Sequence, residues 1–140
     1  GMAYHYSYKS FAAQVADVEV KDNQIIVHKV YAAVDCGRMI NPHIVKKQIR
    51  SGIIYGLSAA LHGEITFDQG KINQSNFHDY PILTAAECPE IEVVLIQSDV
   101  DPTGIGEPGV PPIAPAVANA IYRATGKRLR RMPFSLGDST

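Results

Sequence analysis

The stretch TGIGEPGVPPIAP, from Thr103 to Pro115, limits what this chain can fold into more than any other part of it. Gly104, Gly106 and Gly109 can take up backbone conformations that other residues avoid, while Pro108, Pro111, Pro112 and Pro115 fix their own φ and donate no amide hydrogen. Neither a strand nor a helix runs through such a segment, which is predicted to be a stiff irregular loop. Its one acidic side chain, Glu107, is therefore held with little entropy left to lose on binding. Two readings of Glu107 are open on chemistry alone. It is either a carboxylate favouring the positive end of the helix that follows, or a general base that needs a cofactor, a metal or a second acid–base group to act upon.

The sequence around this loop predicts ordinary elements. Two apolar runs, from Ser10 to Val20 and from Ile25 to Asp35, flank Lys21-Asp22-Asn23-Gln24 and read as an antiparallel hairpin. Asn41-Pro42 is a helix start, the first residue capping free amides and the second fitting the first turn. The helix is predicted from about His43 to Leu61, with Val45, Ile49, Ile53, Leu57 and Leu61 in one apolar stripe and Ile54 beside it. On an adjacent line Gly52, Gly56 and Ala60 leave room for close packing against a neighbouring element or for a flat ligand. A second hairpin turns at Asp68-Gln69-Gly70, and Ile91 to Ser98 reads as a further strand. A second helix follows Pro112, with Ile113, Val117, Ala118, Ile121 and Ala124 facing one way and Gly126 ending it. Hairpin strands with two helices argue an α+β domain: a mixed or antiparallel sheet with both main helices packed on one side. No linker or repeat divides the chain, so residues 1–140 are expected to form a single domain.

Composition excludes several function classes. With 13 Lys and Arg against 14 Asp and Glu the formal net charge is −1, which gives no general attraction to nucleic acid or to an anionic membrane. A local basic cluster, Lys127, Arg128, Arg130 and Arg131, is expected to be a solvated helix end or a contact to another segment. Cys36 and Cys88 form no CxxC pair and are expected to be buried free thiols. The five histidines are scattered without HxH or HExxH spacing, so direct metal ligation by side chains is not expected. The apolar runs are short and interrupted, predicting no transmembrane helix or signal peptide, and Gly1 before Met2 reads as the remnant of a cleaved tag. Nucleophile-elbow, Walker and dinucleotide-binding patterns are absent; Gly104-Ile105-Gly106-Glu107-Pro108-Gly109 stops short of the last of these.

Three separated runs carry a further signal: VDCGRMINPHIVKKQIRSGIIYGLSAALHGEI, NFHDYP and GIGEPGVPPIAPAVANAIYRATGKRLRRMPF. In this order and spacing they resemble the C-terminal end of the large, molybdopterin-binding subunit of the xanthine dehydrogenase and aldehyde oxidase family. Within that family they are most similar to its branch of isoquinoline 1-oxidoreductase β subunits. The resemblance covers nearly all of residues 10–135. It implies that Glu107 is the general base of a water-derived hydroxylation of an N-heteroaromatic ring or an aldehyde, accepting a proton from the attacking water. It implies that Gln48, opening the glycine-bearing helix, hydrogen-bonds the molybdopterin, and that Gly104 and Gly106 let the loop approach it closely. Asp79 and Tyr80 are expected to be structural, fixing the turn before the next strand.

The family's molybdenum is held by the dithiolene sulfurs of the pterin, in bacterial relatives a cytosine dinucleotide, and electrons leave through a separate [2Fe-2S] small subunit. Complete large subunits are several times longer than 140 residues, and most of their cofactor pocket lies upstream of the matching runs. The isolated chain is therefore expected to carry no cofactor and to be inactive, its partners being the remainder of the large subunit, the small subunit and a small-molecule substrate. The competing expectation is a non-catalytic, stand-alone binding or assembly domain. A bacterial cytoplasmic or periplasmic location is compatible with either.

Overall fold

The computed structural model describes residues 1–137. Three strands lead: β1 (Met2–Ser7), β2 (Ser10–Lys21) and β3 (Gln24–Asp35). Helix α1 (Pro42–Leu61) follows, then the short pair β4 (Phe67–Asp68) and β5 (Lys71–Ile72), then β6 (Glu90–Leu95) and helix α2 (Ile113–Thr125). The main sheet has the order β1-β2-β3-β6, antiparallel except that β6 runs parallel to β3. A parallel neighbour requires a crossover, and α1 with the β4–β5 hairpin supplies it. The expected α+β class with a mixed sheet and two helices is what the chain adopts.

Both helices lie on one face because the strands alternate. Along β2, Ser10, Ala12, Gln14 and Ala16 point inward and are buried, whereas Phe11 and Val15 point outward. In β3 both Val27 and Val30 are buried, although their parity differs. A register shift opposite Asp17 and Val18 inserts His28 as an extra residue and restores the inward direction. The core joins these residues to Ile49, Ile53 and Leu57 of α1 and to Ile113, Ala116, Val117 and Ile121 of α2. The opposite face carries Tyr4, Tyr6, Phe11, Val15, Tyr31 and Val94, all at least 42% exposed.

Local signals place the helix ends as the sequence predicts. The Asn41 side chain accepts from the Ile44 amide at 3.2 Å, Pro42 opens α1, and Gly126 closes α2 with φ of 74°. Asp22-Asn23 and Gln69-Gly70 form their hairpin turns at positive φ, which Asp22, Asn23 and Gly70 readily accept. The Asp79 carboxylate accepts from the Ser75 and Asn76 amides, which makes it a turn-fixing residue.

Three expectations need correction, and one strand was not foreseen. β6 spans Glu90–Leu95, with one further backbone hydrogen bond from the Ile96 amide to the Val34 carbonyl, and so stops short of the expected run to Ser98. The inner face of α2 is Ile113, Ala116, Val117, Ala120 and Ile121; Ala118 is half-buried and Ala124 exposed. Cys36 is buried but Cys88 only partly so. Strand β1 goes unsignalled in the sequence, since the turn joining it to β2 holds no Gly, Asn or Pro.

Candidate active site

The loop from Val100 to Pro112 is fastened to the rest of the domain at nearly every turn. At its start the Arg38 amide donates to the Val100 carbonyl at 2.9 Å, and the Thr103 amide donates to the Cys36 carbonyl at 2.9 Å. Buried Ser10 lies 2.6 Å from both the Thr103 hydroxyl and the Gly104 carbonyl. A hydroxyl carries one hydrogen, so Ser10 donates to Gly104 while Thr103 donates to Ser10. Burial pushes the Cys36 thiol up from its usual range, with the Asp35 carboxylate adding to the effect, so this cysteine is an inert packing residue at the loop's root.

Further along, prolines remove amide donors, so the loop's carbonyls are satisfied by glutamines from two other elements. Gln14 of β2, 1% exposed, donates from Nε2 to the Gly109 carbonyl at 2.8 Å. Gln48 of α1 donates from Nε2 to the Gly106 carbonyl at 2.7 Å. The Val110 amide donates to the Glu107 carbonyl at 2.8 Å, closing a tight turn around Pro108 and Gly109. Pro108 and Gly109 are buried under this arrangement, and Glu107 is left exposed at its crest. Its Oε2 receives the Tyr8 hydroxyl at 3.4 Å.

The glycines divide by role. The α1 line of Gly52, Gly56 and Ala60 is buried, and the loop and the start of α2 come close to its two glycines. A Cβ on Gly52 would stand 3.2 Å from the Gly109 Cα, and one on Gly56 would stand 2.6 Å from Ile113 Cγ2. Close packing against a neighbouring element is therefore what these glycines provide. Gly104 has given up its side chain to Tyr8, whose Cβ a methyl group there would meet at 2.6 Å. Gly106 differs: nothing lies within 4 Å of where its Cβ would be, and the residue faces open space.

The residues singled out from sequence thus come together. Gln48, Gly104, Gly106 and Glu107 lie along one exposed edge where the loop crosses the first half of α1. Gln48 donates from its amide nitrogen to the loop, and its Oε1 accepts no hydrogen bond among the described residues. Sequence reasoning missed Tyr8, Ser10 and Gln14. The signal for Gln14 was present, as a polar residue at an inward position between Ala12 and Ala16; for Tyr8 there was none. The basic cluster lies just past the end of α2 and makes contacts to other segments: the Arg128 guanidinium stacks 3.5 Å from the Tyr122 ring centroid, and Arg131 reaches Glu64 at 3.6 Å.

Among the described residues no three His, Cys, Asp or Glu side chains are grouped to ligate a metal ion. No helix among them is long and apolar enough to cross a membrane. A cavity of about 660 Å3 lies away from Glu107, between the start of β3, the end of α1 and Phe134, and includes a His62–Glu87 pair 3.1 Å apart.

A family model described as molybdopterin cofactor-binding domain matches residues 1–89. The chain is 40% identical to the β subunit of isoquinoline 1-oxidoreductase from Brevundimonas diminuta, over 96% of this chain and 17% of that protein. It is 36% identical to a nicotinate dehydrogenase subunit of Pseudomonas putida, over 90% of this chain and 11% of that one. Its fold matches the crystal structure of quinoline 2-oxidoreductase from Pseudomonas putida 86 with a TM-score of 0.78 and 29% identity, covering 84% of this chain and 16% of that one. The chain thus spans less than a fifth of the length of each of these relatives.

Proposed function

Because the chain belongs to the molybdopterin cofactor-binding domain family, we propose that it is the single-domain, C-terminal part of a molybdenum hydroxylase large subunit, with Glu107 as general base. The supporting observation is the way Glu107 is mounted. Its turn is held by hydrogen bonds from Gln14 and Gln48, yet its carboxylate stays exposed. A base must be fixed relative to the proton it takes and open to the molecule that carries it.

The residues present fit one wall of a pterin site. Gly106 leaves its backbone uncovered, and Gln48 Oε1 remains free to accept from a pterin N–H. Gln48, Gly104 and Gly106 are the residues proposed to hold the molybdopterin, in its cytosine dinucleotide form. When bound, that group supplies the two-electron oxidation of a substrate C–H bond. Glu107 takes the proton released from water as the new carbon–oxygen bond forms.

The names of the relatives support an N-heteroaromatic substrate, with an aldehyde as the other class to assay. The remainder of the large subunit and a [2Fe-2S] small subunit are the proposed partners. One wall does not satisfy the other face of a large anionic cofactor, so the 140-residue chain alone is proposed to bind none and to be inactive.

The test is Glu107→Gln in the complete large subunit expressed with its iron–sulfur partner. Molybdenum content should be retained while turnover of heterocycle or aldehyde falls roughly 100- to 10,000-fold. Turnover near the unaltered level would refute the assignment of the base.

A further inference from the structure

At the tip of the β1–β2 hairpin the backbone adopts a conformation that its residue types resist. Tyr8 and Lys9 both sit at positive φ, 53° and 62°, in a two-residue turn closed by the Ser7–Ser10 pair. Turns of this kind favour Asn-Gly or Asp-Gly. The turn between β2 and β3 uses Asp22-Asn23, and the one between β4 and β5 places Gly70 beside Gln69, so each of those turns has at least one residue suited to positive φ, whereas Tyr8-Lys9 has none. A tyrosine kept in that region is explained by what it touches beyond the turn.

Beyond its own turn, Tyr8 touches the loop that carries Glu107. Its carbonyl accepts from the Gly104 amide at 3.1 Å. Its Cβ occupies the space that a side chain at residue 104 would need. Ser10, immediately past the turn, donates to the Gly104 carbonyl. The hairpin tip is thus clamped to the loop at Tyr8 and at Ser10, and the phenol is carried out to the Glu107 carboxylate, where its hydroxyl meets Oε2 at 3.4 Å.

We infer that Tyr8 is the positioning residue of the candidate base, its hydroxyl holding Oε2 of Glu107 so that Oε1 is turned outward to accept the proton. The inference rests on Glu107 being that base. Glutamate has three rotatable side-chain bonds, and the loop fixes only the backbone end of them. An exposed carboxylate anchored at one end samples many orientations; a second anchor at one oxygen leaves the other oxygen's lone pairs in a narrow range. At 3.4 Å the hydrogen bond is a long one and is made to Oε2, which leaves Oε1 unengaged by Tyr8.

Two experiments test this. In the complete holoenzyme, Tyr8→Phe keeps the ring and removes the hydroxyl, and should lower kcat roughly 10-fold while KM, molybdenum content and unfolding temperature stay as in the unaltered enzyme. Tyr8→Gly relaxes the turn, so its unfolding temperature should be equal or higher, yet kcat should fall at least as far. A purely structural role predicts that activity follows stability, the opposite pattern. In the 140-residue chain, the Glu107 carboxyl carbon resonance, identified by its loss in Glu107→Gln, should move on Tyr8→Phe and stay in place on Tyr6→Phe. Unchanged kcat in Tyr8→Phe, or an unmoved Glu107 resonance, overturns the inference. If Glu107→Gln is inactive and Tyr8→Phe is not impaired, only the role of Tyr8 fails; if Glu107→Gln itself turns over normally, the base assignment fails first.

Discussion

Gly52 of α1 and Gly109 of the loop meet backbone to backbone: a Cβ on Gly52 would stand 3.2 Å from the Gly109 Cα, and one on Gly109 would stand 2.8 Å from the Ile49 carbonyl oxygen. The loop is thereby seated on the helix with no side chains between them. The height of Glu107 above α1 is set by this contact, and two of its immediate neighbours in sequence, Pro108 and Gly109, are buried by it.

Gly109→Ala should therefore be costly. The methyl group meets backbone, which cannot swing away as a side-chain tip can, so the loop must rise or α1 must shift. A loss of about 1–3 kcal/mol is expected in denaturant unfolding of the chain. Stability within the error of the unaltered protein would show that the seat is looser than these distances indicate.

Gly106→Ala should behave differently. Its Cβ meets nothing within 4 Å and its φ is not in the left-handed region, so the chain's stability should change by no more than about 0.5 kcal/mol. In the complete large subunit the same substitution should reduce molybdenum content, because the methyl group would occupy the space proposed for the cofactor. Full metal loading would remove Gly106 from the proposed wall.

Gln14→Leu isolates the buried support. The Gly109 carbonyl would lose its donor while remaining enclosed, and Gln14 Oε1, already without a partner among the described residues, would disappear with the amide. The first effect outweighs the second, since an unmet carbonyl costs about 1–3 kcal/mol. Urea unfolding of Gln14→Leu should show that loss; an equally stable variant would mean the carbonyl finds water.

Acid should loosen the segment between β5 and β6 first. Hydrogen bonds from the Asn76 and Ser75 amides hold the Asp79 carboxyl below the usual carboxylate range, and the Thr84 amide and hydroxyl, with His62 nearby, do the same for Glu87. Depressed carboxylates stabilise the fold above their ordinary values of 3.8 and 4.5, and that contribution is lost as pH falls through the lower folded values. Unfolding midpoints should thus decline below pH 4.5, and Asp79→Asn should flatten the decline. An unchanged acid profile in Asp79→Asn would mean that the depression does not reach stability.

Much of this could be read from the sequence because the responsible signals are local. The Asn41-Pro42 start of α1, the Asp22-Asn23 turn and the Gly126 stop act within a few residues, and all three are found where expected. The proline–glycine run likewise announced an irregular loop with Glu107 on it. What escaped detection depends on distant partners. β1 is stabilised by pairing with β2 and by the clamp on Gly104, so the Tyr8-Lys9 turn carries no residue-type signal. The parallel placement of β6 depends on a crossover that no short window contains. For Gln48, the resemblance led to a proposed cofactor contact, and its hydrogen bond to the Gly106 carbonyl, 58 residues away in sequence, carries no local signal.

The tethering of the loop from β2, α1 and the end of β3 has a consequence for how the site ages and fails. A surface loop ordinarily opens by itself, at a small fraction of the free energy needed to unfold its domain. This one is stitched to three elements of the core, so releasing Glu107 means breaking into the sheet and the helix together. The Val110 amide should exchange its hydrogen nearly as slowly as the centre of α1, and damage by heat or protease should strike the site only when the whole domain goes.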